Sequence, residues 1–327
     1  MKYLALLLAT QVAAVAAAPN YKVVDQIAIG GEARWDYVYL DQVAHRLYVA
    51  HGKQTDVIDT TSNKVVGAVT GGKGVHGIAV AQELGLGYAT SGEDSSVTVF
   101  DLKTLKVTAS IPVGKKPDAI VYDALDQRVV ALNGHGDSAS IIDAKKGEVV
   151  ATVALGGNPE FAVVDAKGTV YVNIESTAEL VALDTVAAKV TKRIALKPCE
   201  EPTGLAFDGE RHLFSVCKNH LMMITDLAND QVSQAPIGAS PDGVAWLDGY
   251  AFSANGGDGN LSVVGQSDKG TFSTVATINT AYGARTIAAD SQTHKLYLPT
   301  ADFKLADGKA KRQGIDDTFR VLVLEKQ

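Results

Sequence analysis

Seven residues some forty positions apart carry most of the chemistry this chain could offer: Asp36, His76, Asp118, Glu160, Thr203, Asp242 and Arg285. Most follow a short corner containing Gly or Pro, as in Lys116-Pro117-Asp118, Asn158-Pro159-Glu160 and Ser240-Pro241-Asp242. Brought to one place, the carboxylates of Asp36, Asp118, Glu160 and Asp242 would repel one another, raising some of their pKa values or recruiting a cation. With Asn133 or Asn173 adding amide oxygens, that set would suit an oxygen-seeking ion such as calcium or magnesium. His76 offers an imidazole to a softer metal, or a general base. Arg285 would neutralise the carboxylates or grip an anionic ligand. His76, Glu160 and Arg285 are therefore the catalytic candidates, and Glu175, Asn173 and Asn255 join the ring as candidate ligand contacts. His51, Glu93, His135, His220 and Asp302 occupy comparable strand ends and loops.

The plainer reading is turn chemistry: Pro-Asp is a common corner, and a histidine at a strand start is often only hydrogen-bonded. The variation argues for more. Equivalent positions hold Asp, His, Asp, Glu, Thr, Asp and Arg, whereas a purely structural turn would keep one residue type. Variation on one face of a regular scaffold is how sites are grafted onto folds.

What must position these residues is a repeat. Asp59, Asp101, Asp143, Asp184 and Asp226 recur about every 42 residues, each closing a short apolar run such as Val57-Ile58-Asp59 or Ile141-Ile142-Asp143. Each unit reads as a Gly-rich corner, an apolar strand, a turn, a strand with an aromatic or aliphatic pair such as Leu47-Tyr48-Val49, a polar loop, a third strand ending at the periodic Asp, and a fourth strand. Alternating β-branched and polar residues support strands throughout. Four strands per repeat make a propeller blade, and seven strand starts predict seven blades. The periodic aspartates are expected to cap turns on the bottom face, and the ring residues to surround the channel mouth on the top. Blade six is irregular, with Gly265 in place of the periodic Asp.

Closure is also predicted. Val23 to Gly30 resembles a fourth strand without its first three, and Phe319 to Leu324 a third strand without a fourth. Pairing them completes blade seven and removes exposed sheet edges. Residues 19–327 then form a single domain. The stretch from Ala301 to Thr318, longer than its counterparts, interrupts blade seven and should project from the top face, as a binding lid or as a tolerated insertion.

Residues 1–18 read as a secretory signal, with Lys2, an apolar Leu4–Ala18 and Ala14-Val15-Ala16 placing cleavage after Ala16. The run is short for a membrane anchor, and no other transmembrane span is expected. A periplasmic or secreted bacterial destination follows. The mature chain keeps 29 basic against 37 acidic residues, a net charge of −8, which argues against general nucleic-acid binding. Cys199 and Cys217 fall at the same end of blade five. An oxidising compartment favours a disulfide between them; the rival is a buried thiol at Cys217 with Cys199 exposed. HExxH, CxxC, GxSxG and phosphate-loop motifs are absent.

The repeats resemble the YncE-like, or YVTN-repeat, seven-bladed propellers of exported bacterial proteins. The likeness is carried by Leu47-Tyr48-Val49-Ala50, Gly74-Val75-His76-Gly77-Ile78-Ala79, Lys116-Pro117-Asp118-Ala119-Ile120-Val121-Tyr122-Asp123, Pro159-Glu160-Phe161, Tyr171-Val172-Asn173-Ile174-Glu175, Glu201-Pro202-Thr203-Gly204, Gly283-Ala284-Arg285-Thr286 and Tyr297-Leu298-Pro299-Thr300-Ala301. The blade-seven insert departs from the Pro-rich one usual in relatives. The resemblance implies a periplasmic propeller. Related architectures include metal-dependent lactonases, lyases and phosphoesterases, redox-enzyme domains and binding scaffolds. It offers no agreed catalytic residues to carry over.

The leading expectation is a monomeric scaffold that binds a small molecule, a peptide or a periplasmic partner protein through its top face. The alternative is a divalent-metal-assisted hydrolase, lactonase or lyase, with the ring carboxylates holding the ion and His76 or a carboxylate as base. An accessory role to a periplasmic redox enzyme comes third. The sequence leaves open whether the protein is an enzyme.

Overall fold

Proline sets where four of the seven blades begin. It lacks the N–H that a ladder interior needs, so it is tolerated at a strand's first residue. Pro117, Pro159, Pro202 and Pro241 each occupy that place in their innermost strands, Pro117–Asp123, Pro159–Val164, Pro202–Phe207 and Pro241–Leu247. The other innermost strands are Trp35–Asp41, Val75–Ala81 and the short Ala288–Asp290. A computed structural model describes residues 19–268, 270–305 and 312–327. The expected signal peptide, with its cleavage site, lies outside the described residues. Seven four-stranded antiparallel sheets surround a central channel, their innermost strands side by side.

Closure follows the expected route. Tyr21–Ala28 pairs with Arg320–Lys326, which pairs in turn with Lys295–Thr300, so blade seven takes its outer strand from the N-terminus. Blades adhere through apolar walls. Fully buried aromatics on second strands reach the next blade: Tyr48 approaches Phe100, Phe214 stacks 5.0 Å from Trp246, and Phe252 meets Tyr21. Each such ring removes about 150–250 Å² from water, which dominates the inter-blade energetics.

The periodic aspartates cap turns. Asp101 accepts the N–H groups of Lys103 and Thr104, Asp143 those of Lys145 and Lys146, and Asp184 those of Val186 and Ala187. The Ser62 hydroxyl and N–H hold the Asp59 carboxyl below its ordinary pKa. In blade six Gly265 lies opposite Tyr250, whose ring would sit 2.8 Å from any Cβ added there. A side chain there, Asp included, would have to displace the Tyr250 ring.

Cys199 and Cys217 form a disulfide, and both are buried. The blade-seven insert contains a short hairpin, Phe303–Leu305 against Arg312–Gly314. It is tied to the corner before blade one: Asp316 accepts Ala33 N–H at 2.9 Å, and Asp317 exchanges bonds with Gly31. No helix among the described residues is long and apolar enough to cross a membrane.

Candidate functional site at the channel mouth

A break in register aims the ring residues. In six blades the ladder between the first and second strands skips directly after the first paired residue, between Trp35 and Val38, Val75 and Ile78, Pro117 and Ile120, Pro159 and Ala162, Pro202 and Leu205, and Pro241 and Gly243. Asp36, His76, Asp118, Glu160, Thr203 and Asp242 fall inside these breaks. A bulge releases a residue from the ladder and re-aims its side chain, which is why bulges recur beside functional sites. Arg285 precedes its short strand and lies outside any ladder.

The ring divides into groups. In the first, His76 Nδ1 lies 2.5 Å from Asp36 Oδ2 and 3.4 Å from Asp118 Oδ1. The three come from blades one, two and three, and one donor atom from each lies within 4.8 Å of the others. Asp118 Oδ1 is buried without a hydrogen-bond donor. Burial, then the Asp36 and Asp242 carboxylates, push the Asp118 carboxyl well above the usual range.

The second group is Glu160 with Tyr37. The Tyr37 hydroxyl lies 3.4 Å from Glu160 Oε1, and its ring packs on Phe161 across the channel. Burial, then Asp118, Asp242 and more distant carboxylates, raise Glu160 to about 9. Tyr37 is pushed up too, chiefly by burial.

In the third, Arg285 Nε donates to Asp242 Oδ2 at 2.8 Å and its Nη2 to the Trp35 carbonyl at 2.5 Å, with the guanidinium over the Trp35 indole. Arg285 thus neutralises a carboxylate and bridges blades six, seven and one. Burial raises Asp242 despite this partner.

Several sequence-predicted contacts lie elsewhere. Asn173 and Asn255 have 0% exposure. Asn173 donates to the Thr203 and Gly204 carbonyls and accepts from Ser215; Asn255 donates to Asn260 and Ser262. Their amides are consumed inside the blades, so neither reaches a ligand. Thr203 is likewise spent on the Pro241 carbonyl. Glu175 stands on the top surface, bound by Lys218 and Asn158. His51 is buried, with Nδ1 at 2.6 Å from Asp56 and Nε2 at 2.6 Å from the Glu32 carbonyl. Both partners are acceptors, so both ring nitrogens carry protons. The four carboxylates expected to share an ion do not all meet, because Arg285 takes Asp242 and Tyr37 faces Glu160. Two of them, Asp36 and Asp118, join His76 instead. A donor set containing an imidazole suits zinc or manganese better than the expected calcium or magnesium.

Tyr37 is the contact that sequence reasoning missed. Its place one residue after Asp36 in the first innermost strand was the available signal. Tyr37 also lines an apolar cavity of about 480 Å³ along the innermost strands of blades one to four, bounded by Tyr39, Ile78, Ile120, Tyr122 and Phe161.

No protein-family model matches the chain. No curated protein matches its sequence. Among solved structures it is similar to a chain of Kuenenia stuttgartiensis hydrazine synthase, with a TM-score of 0.71 and 15% identity, covering 82% of this chain and 92% of that one. Similarity at this identity shows the propeller fold alone.

Proposed function

We propose that this is an exported binding propeller, similar to the YncE-like family, that holds its ligand at the top mouth of the channel. The observation that carries the reading is the Asp36–His76–Asp118 cluster, in which three blades present donor atoms within 4.8 Å of one another. A scaffold needs no such convergence for stability, since like charges placed together cost free energy. A divalent cation is the ligand these donors fit: Asp36, His76 and Asp118 would hold it, and Asp118 Oδ1 would gain the partner it lacks. The disulfide and the apolar N-terminal sequence support an oxidising destination.

Thermal melting of the chelated mature protein, then with manganese, zinc, calcium or magnesium, tests this. A ligand that binds only the folded state raises the melting temperature by mass action. An increase with manganese or zinc that Asp118→Asn abolishes is the expected result. No increase with any of the four ions would remove the cation from the reading.

A metal-assisted hydrolase is the second reading, and the Asp36–His76 contact favours it, because a carboxylate that orients an imidazole is how general bases are held. When bound, the ion would act as a Lewis acid beside that base. Turnover of lactones or phosphoesters by the metal-loaded protein, lost in His76→Ala, would establish it.

A further inference from the structure

We propose that the top-face hollow beside His76, between blades one and three, is an anion-binding subsite that takes a phosphoryl or carboxylate group. It rests on the reading of the channel mouth as the ligand site and adds the chemical class of the ligand's other end. The hollow has a volume of about 430 Å³. Arg34 enters from blade one, His76 and Glu93 from blade two, and Lys115, Lys116 and His135 from blade three. Among the lining residues three permanent cations thus stand against one carboxylate, Glu93, while Asp36 and Asp118 contact His76 from outside the lining, in a chain whose overall charge is −7. A concave surface lined by one sign of charge concentrates counter-ions of the other.

These cations are not consumed by the fold. Arg34 approaches Glu93 only at 3.9 Å, and both side chains are 57% exposed. Among the described residues, Lys115 and Lys116 form no ion pair. Nor does the turn ask for lysine. The residue before the innermost strand is left-handed in blades two, three, five and six, where it is Gly74, Lys116, Glu201 and Ser240. Glycine adopts that conformation most easily. Glu201 is engaged by Lys218 at 2.6 Å, while Lys116 stands over the hollow.

The imidazole completes the subsite. Asp36 holds His76 through Nδ1, and Nε2 makes no hydrogen bond among the described residues. Gly92 keeps the space beside it open, since a Cβ there would lie 3.0 Å from both Nε2 and Cδ2. An anion seated there would accept charge-assisted hydrogen bonds from Lys115 and Lys116 beside the imidazole edge. A ligand with a cationic group or bound cation at Asp36–Asp118 and an anionic group over Lys115 and Lys116 satisfies both halves of the face.

Calorimetric titration of the chelated protein with inorganic phosphate and, separately, with succinate tests the subsite and separates the two anion classes. Saturable binding of one or both is expected, weakened about tenfold in Lys115→Ala/Lys116→Ala. Gly92→Ala, whose Cβ would crowd the His76 ring, should weaken it too. No binding of either anion, or equal binding by the double variant, would overturn the inference. So would binding that vanishes at about 0.15 M salt, which marks a diffuse charge effect. The divalent-ion melting test is independent. If metals bind and anions do not, the subsite fails and the mouth stands; if anions bind and metals do not, the subsite stands without the cation.

Discussion

Asp36 Oδ2 and His76 Nδ1 lie 2.5 Å apart across the junction of blades one and two. Asp118 Oδ1 approaches the same nitrogen at 3.4 Å from blade three but finds no hydrogen bond. The two carboxylates therefore stand in opposite energetic positions around one imidazole. Asp36→Asn should destabilise the fold by about 1 kcal/mol, and Asp118→Asn should stabilise it by a similar amount by removing a carboxyl that burial and neighbouring carboxylates force to take up a proton on folding. Melting temperatures at neutral pH, shifted in opposite directions by about 2 °C each, would bear this out. Shifts of the same sign would contradict it.

Glu160 gives stability a pH slope. Below its ordinary value of 4.5 both folded and unfolded chains hold the proton; between there and about 9 only the folded chain holds it. Each unit of pH in that window therefore favours the unfolded ensemble. Stability is expected to fall as pH rises through the window, with Asp118 adding to the slope in the same direction. Glu160→Gln should flatten the melting-temperature profile and raise the value at pH 8 by several degrees. A profile as steep as the native one would contradict the assignment.

His51 contributes with a different signature. Burial lowers its pKa, but the hydrogen bonds to Asp56 and the Glu32 carbonyl outweigh burial and leave it raised above 6.5. Its contribution is complete below that ordinary value and is lost as pH rises through the folded-state pKa. His51→Phe would leave Asp56 buried without its counter-charge, at a cost of about 3–5 kcal/mol. Denaturant unfolding at pH 6 measures it; a loss under about 1 kcal/mol would show that water replaces the imidazolium.

Ring closure places the C-terminus under load. Removing residues 318–327 takes away Arg320–Lys326, the strand between Tyr21–Ala28 and Lys295–Thr300. Two unpaired edges and an open apolar wall would remain, so the truncated chain should be insoluble or rapidly proteolysed. A soluble truncation with a single cooperative melt would contradict closure.

The blades were legible in the sequence because their signals are local. Asp59 and its repeats cap turns within three residues, and proline marks strand starts without reference to neighbours. The ring positions were legible for the same reason. Their convergence was not, because it depends on bulges and on contacts between blades. Arg285 meets Trp35 across 250 residues of chain, and Asp36 meets His76 across 40. Asn173 and Asn255 misled for a related reason. At a strand end alternation no longer says which way a side chain faces, and both amides turn inward to bond groups that only the assembled blades supply. Tyr37 went unnoticed because an aromatic residue in an apolar strand reads as core until the channel it crosses is seen.

The direct measurement is calorimetric titration of the metal-stripped protein with manganese and zinc, run beside Asp118→Asn and His76→Ala variants that still melt cooperatively. Stoichiometric binding of at least one ion by the native chain, lost in both variants, is expected if the channel mouth is the cation site. Absence of binding by the native chain, or binding unchanged in the variants, would contradict it.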